Sequence, residues 1–292
     1  MKIKLDCFPC YVNQALEAAE YANMNQEKKW NTVLTVCEEL AKVERSEPSA
    51  RIGQKVHKIV RDFSNTEDPY REQKEKSNEI ALGYLEEFRD KLAESEEKLN
   101  IAARLAAAGN AIDFGPRREF DVEGELKRGM NEEFEINHWE KFLEQLETAK
   151  EILYFTDNSG EIIYDRLFVE QLLGASEVEK LNLVVKQGPF LNDVTEEDAV
   201  DLGLDEINKV YLRTVDNGDG GNSPGLWSNE VEKWIEGHDL VVSKGQANYE
   251  GLSTYSKENL FFLLVIKCPL VERAVGADVG KKVFINASDQ PG

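Results

Sequence analysis

The chain has 292 residues, enough for a full apolar core and two structural units, and carries 56 acidic against 35 basic side chains. A formal net charge of −21 repels nucleic-acid phosphates and anionic lipid, so neither a nucleic-acid partner nor a membrane surface is expected; a small anion in one local basic pocket remains compatible. Four cysteines are too few for a disulfide-built fold, and no apolar run approaches the roughly 20 residues needed to span a bilayer, so a reducing, cytoplasmic setting is the expectation.

In chain order, the first feature is Cys7 and Cys10, two thiols spaced by two residues at the start of a helix. Three readings apply: structural packing, a zinc site completed by Cys37 or Cys268, or a redox pair whose thiol pKa is lowered at a helix N-terminus. Residues 8–108 then read as helices, with one apolar stripe at Val33, Val36, Cys37, Leu40 and Val43 and another at Ile80, Leu82, Leu85, Phe88 and Leu92. The small residues of 101–108 predict a helix in close contact with a neighbour, and 109–115 a hinge. Residues 120–149 return to amphipathic helix, interrupted at Gly129.

From residue 151 the pattern changes. Short apolar runs at 151–155, 181–185, 210–212 and 240–242 alternate with helical patterns at 195–202 and 228–236; a further helix is predicted over 257–265 and a last strand over 282–286. Strands alternating with helices predict an α/β fold: a three-layer α/β/α domain with a mostly parallel sheet over residues 111–292, preceded by an all-α helical bundle domain over 1–110.

Three of the strands end in loops rich in oxygen-bearing side chains. The first offers Thr156, Asp157, Asn158, Ser159, Gly160 and Glu161; the second Lys186, Asn192, Asp193 and Thr195; the third Lys244, Asn248 and Glu250. Any one of them is explained by helix capping and a turn glycine, but in a parallel sheet all three converge on the carboxyl edge, where ligands bind. The histidines, His57, His138 and His238, lie outside these loops, and no phosphate loop or dinucleotide fingerprint follows a strand. What remains suits a hard divalent cation that polarises a phosphoryl oxygen, with Lys186 or Lys244 offsetting developing charge.

These same residues carry a resemblance. The run from Phe155 to Asp165, the Asn192, Asp193, Val194, Thr195 loop, and the stretch from Lys244 to Gly251 resemble the DUF89 family of metal-dependent damage-control phosphatases. The two N-terminal cysteines, Asp68, Pro69 and Tyr70 with Lys74 and Asn78, and the 109–115 hinge are similar to its prokaryotic and archaeal branch. The resemblance implies a phosphatase that hydrolyses phosphate monoesters of small metabolites, such as sugar phosphates or damaged phosphometabolites, with one divalent ion (magnesium, manganese, cobalt or nickel). It implies Asp157, Asn158 and Asp193 as the metal site, and Asp157, Asp193 and Lys244 as catalytic residues. Substrate contacts are implied at Asn110, Asp113, Ser159, Gly160, Glu161, Lys186, Asn192, Lys244, Asn248 and Glu250, with specificity in residues 217–225 and in Tyr70, Lys74 and Asn78. The attacking group is either a water or Asp157 itself. A metabolite-binding protein without catalysis, and a thiol-centred zinc or redox protein, are the competing readings.

Overall fold

A computed structural model describes residues 1–109, 122–175, 177–216 and 229–290. Five helices come first: α1 (Cys7–Tyr21), α2 (Gln26–Leu40), α3 (Ser49–Ser64), α4 (Arg71–Glu94) and α5 (Lys98–Gly109). Then follow α6 (Val122–Asn131), a two-residue strand β1 (Ile136–Asn137) and α7 (Trp139–Leu146). The alternating part consists of β2 (Glu151–Phe155), α8 (Ile162–Ala175), β3 (Lys180–Lys186), α9 (Glu196–Asp201), β4 (Val210–Val215) and α10 (Asn229–Glu236). It continues through β5 (Leu240–Lys244), α11 (Gln246–Leu252), β6 (Leu260–Val265), α12 (Pro269–Val275) and β7 (Lys282–Asn286).

The seven strands form one sheet in the order β1-β7-β6-β5-β2-β3-β4. Only the β6–β7 pair is antiparallel. Side chains alternate across each strand and build two cores, which makes the fold a three-layer sandwich. On one face Ile152, Tyr154, Leu183 and Val242 pack with α4, α5, α7 and α8; on the other Leu153, Phe155, Val184 and Val241 pack with α10, α11 and α12. Helices α1 to α3 share a third apolar cluster of their own, built on Ala15, Ala18, Val36, Ile52, Val56 and Val60. Among the described residues no helix is long and apolar enough to cross a membrane.

Two expectations are corrected. Residues 260–265 are strand β6, not the end of a helix over 257–265, because both faces of that apolar run are covered: Phe261 and Leu263 face one core, Phe262 and Leu264 the other. Within 120–149 the helical pattern is broken by β1, which pairs with β7 through Ile136 and Asn137. The small-residue helix behaves as its composition predicts: α5 is buried from Ala102 to Gly109, and a Cβ on Gly109 would stand 3.0 Å from the Tyr164 ring of α8.

The strand order places the functional edge. From β2 the chain moves outward through β3 to β4, then returns to the other side of β2 as β5. The order reverses at β2, so a crevice opens beyond its carboxyl end, between the loops that leave β2, β3 and β5.

Candidate active site

Backbone hydrogen bonds lock the first two loops together. Asn158 and Asp193 form an isolated antiparallel bridge. Ser159 N donates to Asn192 O at 2.8 Å, and Val194 N to Asp157 O at 3.0 Å. The second loop is shaped by Leu191, held at φ 49°, an uncommon conformation for a residue with a Cβ, and by Asp193 N donating to Phe190 O at 3.1 Å. Its exit is fixed by a reciprocal cap at the start of α9, where Thr195 Oγ1 accepts from Asp198 N and Asp198 Oδ2 accepts from Thr195 N. Lys74 of α4 donates to that same Asp198 carboxylate at 2.9 Å and pairs with Asp68 at 3.1 Å, which anchors the helical part to the site.

The third loop meets the first from the opposite side. Asn248 Nδ2 donates to Thr156 O and to Lys244 O, each at 2.8 Å. Gly245 packs directly on the Asp157 carboxylate, with φ 78°.

Asp157 and Asp193 are each only 6% exposed, and Glu161 1%. Burial, then the charges of Glu161 and Asp193, push the Asp157 carboxyl up to about 8. Burial likewise raises Asp193, against the pull of Lys186 at 3.5 Å. Carboxylates gathered this way lack sufficient positive charge of their own, and a divalent ion would supply it. Among the described residues no set of three or more histidine, cysteine, aspartate or glutamate side chains is gathered as a ready metal cage. The donor set that fits is therefore two carboxylates from bridged loops and the Asn158 amide, whose Nδ2 lies 2.8 Å from Asp157 Oδ2 and whose oxygen reaches the same space by a flip of the amide.

These groups open onto a cleft of roughly 400 Å³ between the carboxyl edge of the sheet and helices α1 and α3. Of the sequence-predicted residues, Asp157, Asn158, Asn192, Asp193 and Glu250 line it, as do Cys7, Cys10 and Cys268. All four cysteines are free, and burial raises rather than lowers the Cys7 and Cys10 thiols, which runs against the activated thiolate of a redox pair. Glu250 accepts from Ser49 Oγ at 2.8 Å, tying the third loop to α3.

Lys244 faces away from the cleft. It is fully buried and donates to Ala106 O at 2.9 Å, to Asp165 Oδ1 at 2.6 Å and to Glu161 Oε1. Burial alone would lower this ammonium, but Asp165 and Glu161 more than offset that and hold it above the usual lysine range. All three of its donors are thus committed inside the protein, and Tyr154 Oη donates to Asp165 Oδ1 at 2.9 Å as a further member of the network. The backbone N–H groups after Asn158 are committed too: that of Ser159 to Asn192 O, and that of Gly160 to Asn78 Oδ1 at 2.6 Å. Lys186 is occupied by Asp193.

Sequence reasoning missed Lys267 and His57, which line the same cleft. Lys267 follows β6, a strand read as a helix, so its loop was not recognised as one more loop on that edge; its charge acts on Asp157. His57 lies far from the loops in sequence and carries no local signal. Asn110, Asp113 and residues 217–225 lie outside the described residues.

Residues 3–283 match the damage-control phosphatase ARMT1-like domain. An uncharacterized protein of Methanocaldococcus jannaschii, MJ0202, is 34% identical, over 98% of this chain and 95% of its own length. A damage-control phosphatase of Archaeoglobus fulgidus is 32% identical over 97% of this chain and 98% of its own, and the damage-control phosphatase PH1575 of Pyrococcus horikoshii 31% over 97% of each. The crystal structure of the DUF89 family protein PH1575 superposes with a TM-score of 0.86 at 28% identity, covering 98% of this chain and 99% of that one.

Proposed function

Because the chain belongs to the damage-control phosphatase ARMT1-like family, we propose that it is a divalent-cation-dependent phosphomonoesterase acting on small phosphorylated metabolites, with Asp157, Asn158 and Asp193 as its cation site. The observation that carries this reading is the backbone bridge between Asn158 and Asp193, which ties the two loops that carry these side chains together at the cleft. A cation bound there would hold a phosphoryl oxygen and offset the charge that develops as the ester bond breaks.

The chain's own residues do the rest. Gly245 fixes the orientation of the Asp157 carboxylate, because it leaves that side chain no room to move back. The buried ammonium of Lys244 holds Glu161 through Oε1 just before α8, while Glu161 Oε2 accepts from Asn158 Nδ2 at 3.4 Å and so braces the amide beside Asp157. Lys267 at the cleft wall draws an anionic ester inward. Attack comes either from a water deprotonated by a site carboxylate or from an Asp157 oxygen; rapid quenching that traps a phosphorylated aspartate separates the two.

Phosphate release measured against a panel of phosphate monoesters, with magnesium, manganese, cobalt or nickel and with chelator, tests the proposal. The expected result is cation-dependent release that Asp157→Ala and Asp193→Ala both abolish while circular dichroism stays unchanged. Full activity in either variant, or no release from any ester with any cation, overturns it.

A further inference from the structure

Among the described residues that line the cleft, His57 carries a buried ring nitrogen with no hydrogen-bond partner. Its side chain sits on α3, the residue is 3% exposed, and the unmatched nitrogen is Nε2. A buried nitrogen left unmatched is costly and is uncommon where nothing ever binds it. The ring forms part of the cleft wall. It meets Phe190 edge-on at 5.4 Å, on the turn whose carbonyl at Phe190 accepts from Asp193 N. It also meets the Tyr70 ring at 6.1 Å, whose hydroxyl is likewise buried and unmatched.

We propose that His57 is a specificity-determining residue whose Nε2 hydrogen-bonds an uncharged, hydroxyl-bearing part of the metabolite while the carboxylate end of the cleft holds the phosphoryl group. This rests on the phosphatase reading. The chemistry of the ring selects that part of the ligand. Burial, with Arg61 one turn away adding to it, brings the imidazole down to about 3, so at neutral pH it carries no charge to give a phosphate. A neutral imidazole offers one donor and one acceptor, which matches a hydroxyl. The ring and the Asp193 turn line the same cleft, so one small molecule in it can meet both.

The test compares two kinds of ester in the intact protein with saturating cation: phenyl phosphate, which has no hydroxyl, and the best of a panel of glycerol, pentose and hexose phosphates. His57→Phe keeps the ring and its edge contacts and removes Nε2. The expected result is a kcat/KM loss of about tenfold on the polyol phosphate, mostly in KM, with less than about threefold on phenyl phosphate, and partial recovery in His57→Gln. Equal losses on both esters mean that the ring only braces the Asp193 turn, and overturn the inference; so does no loss on either, or a wild type that prefers no polyol phosphate over phenyl phosphate. A wild type that hydrolyses neither ester overturns the phosphatase reading and this inference with it. If His57→Phe does not fold, by its thermal melt, His57→Leu against His57→Gln makes the same comparison.

Discussion

Gly245 stands so close to the carboxylate of Asp157 that a Cβ at that position would overlap it. Its φ of 78° is also one that a side chain disfavours. Gly245→Ala therefore acts on the site through position alone, since it removes no charge and no hydrogen bond. A displacement of the order of an ångström costs about a hundredfold in rate where reacting groups are pre-aligned, so kcat/KM is expected to fall by about that factor and the cation to bind more weakly. Steady-state kinetics across a cation titration check it; a variant with wild-type kcat/KM would show that Asp157 does not depend on this contact.

Lys244 and Asp165 lie 79 positions apart and are 2.6 Å from each other in a fully buried network with Glu161 and Tyr154. Among the described residues Lys244 is the cation that pairs with both Asp165 and Glu161, and removing it leaves two buried carboxylates without that charge. Lys244→Met is expected to destabilise the fold by about 3–5 kcal/mol in urea unfolding, and Lys244→Met with Asp165→Asn by less, because the second change removes one of the stranded charges. A loss in the single variant of under about 1 kcal/mol would mean that the ammonium is not what holds these carboxylates.

Much of this arrangement was legible in the sequence, and the parts that were not share a cause. The run from Ile152 to Phe155 reads as a strand buried on both faces, and the polar loops after 155, 186 and 244 converge as a parallel sheet requires. Residues 260–265 are equally apolar, but a run without polar positions has no period that tells a strand buried on both faces from a buried helix. That single misreading concealed the loop carrying Lys267. The sequence puts Lys244 in a polar loop that converges on the cleft; its partners instead come from α5 and from Glu161 and Asp165 at α8, and pairings across some 80 or more residues are set by how helices pack, which local pattern does not encode. His57 was hidden for the same reason: its relation to the Asp193 turn exists only once α3 lies over the sheet edge.

The imidazole of His57 also makes a prediction about stability against pH. The unfolded ring titrates near 6.5 and the folded one near 3, so between these values the unfolded chain binds a proton that the folded chain does not. The contribution is fully present above pH 6.5 and is lost as pH falls toward 3, with a slope of up to about 1.4 kcal/mol per pH unit. Urea unfolding of wild type and His57→Phe at intervals from pH 7 to pH 4 should show the wild type losing stability more steeply on acidification, by that one proton. Parallel curves would mean that the ring accepts a proton without leaving its buried position.

Lys267 lies on the surface of the cleft, and among the described residues its ammonium has no carboxylate within ion-pair distance; what holds the residue is its backbone, whose N–H donates to Gln246 Oε1 at 2.8 Å. Its charge is therefore free to act on a ligand and contributes little to the fold. Lys267→Met is expected to raise KM for a phosphate monoester by about fivefold, with kcat and Tm nearly unchanged, while Lys267→Arg stays close to wild type. Because a solvent-exposed charge works through a field that salt screens, wild-type kcat/KM should fall as ionic strength rises and the Lys267→Met profile should be flatter. Kinetics from low to high salt read both effects, and an unchanged KM with an unchanged salt profile would place phosphate recruitment elsewhere along the cleft.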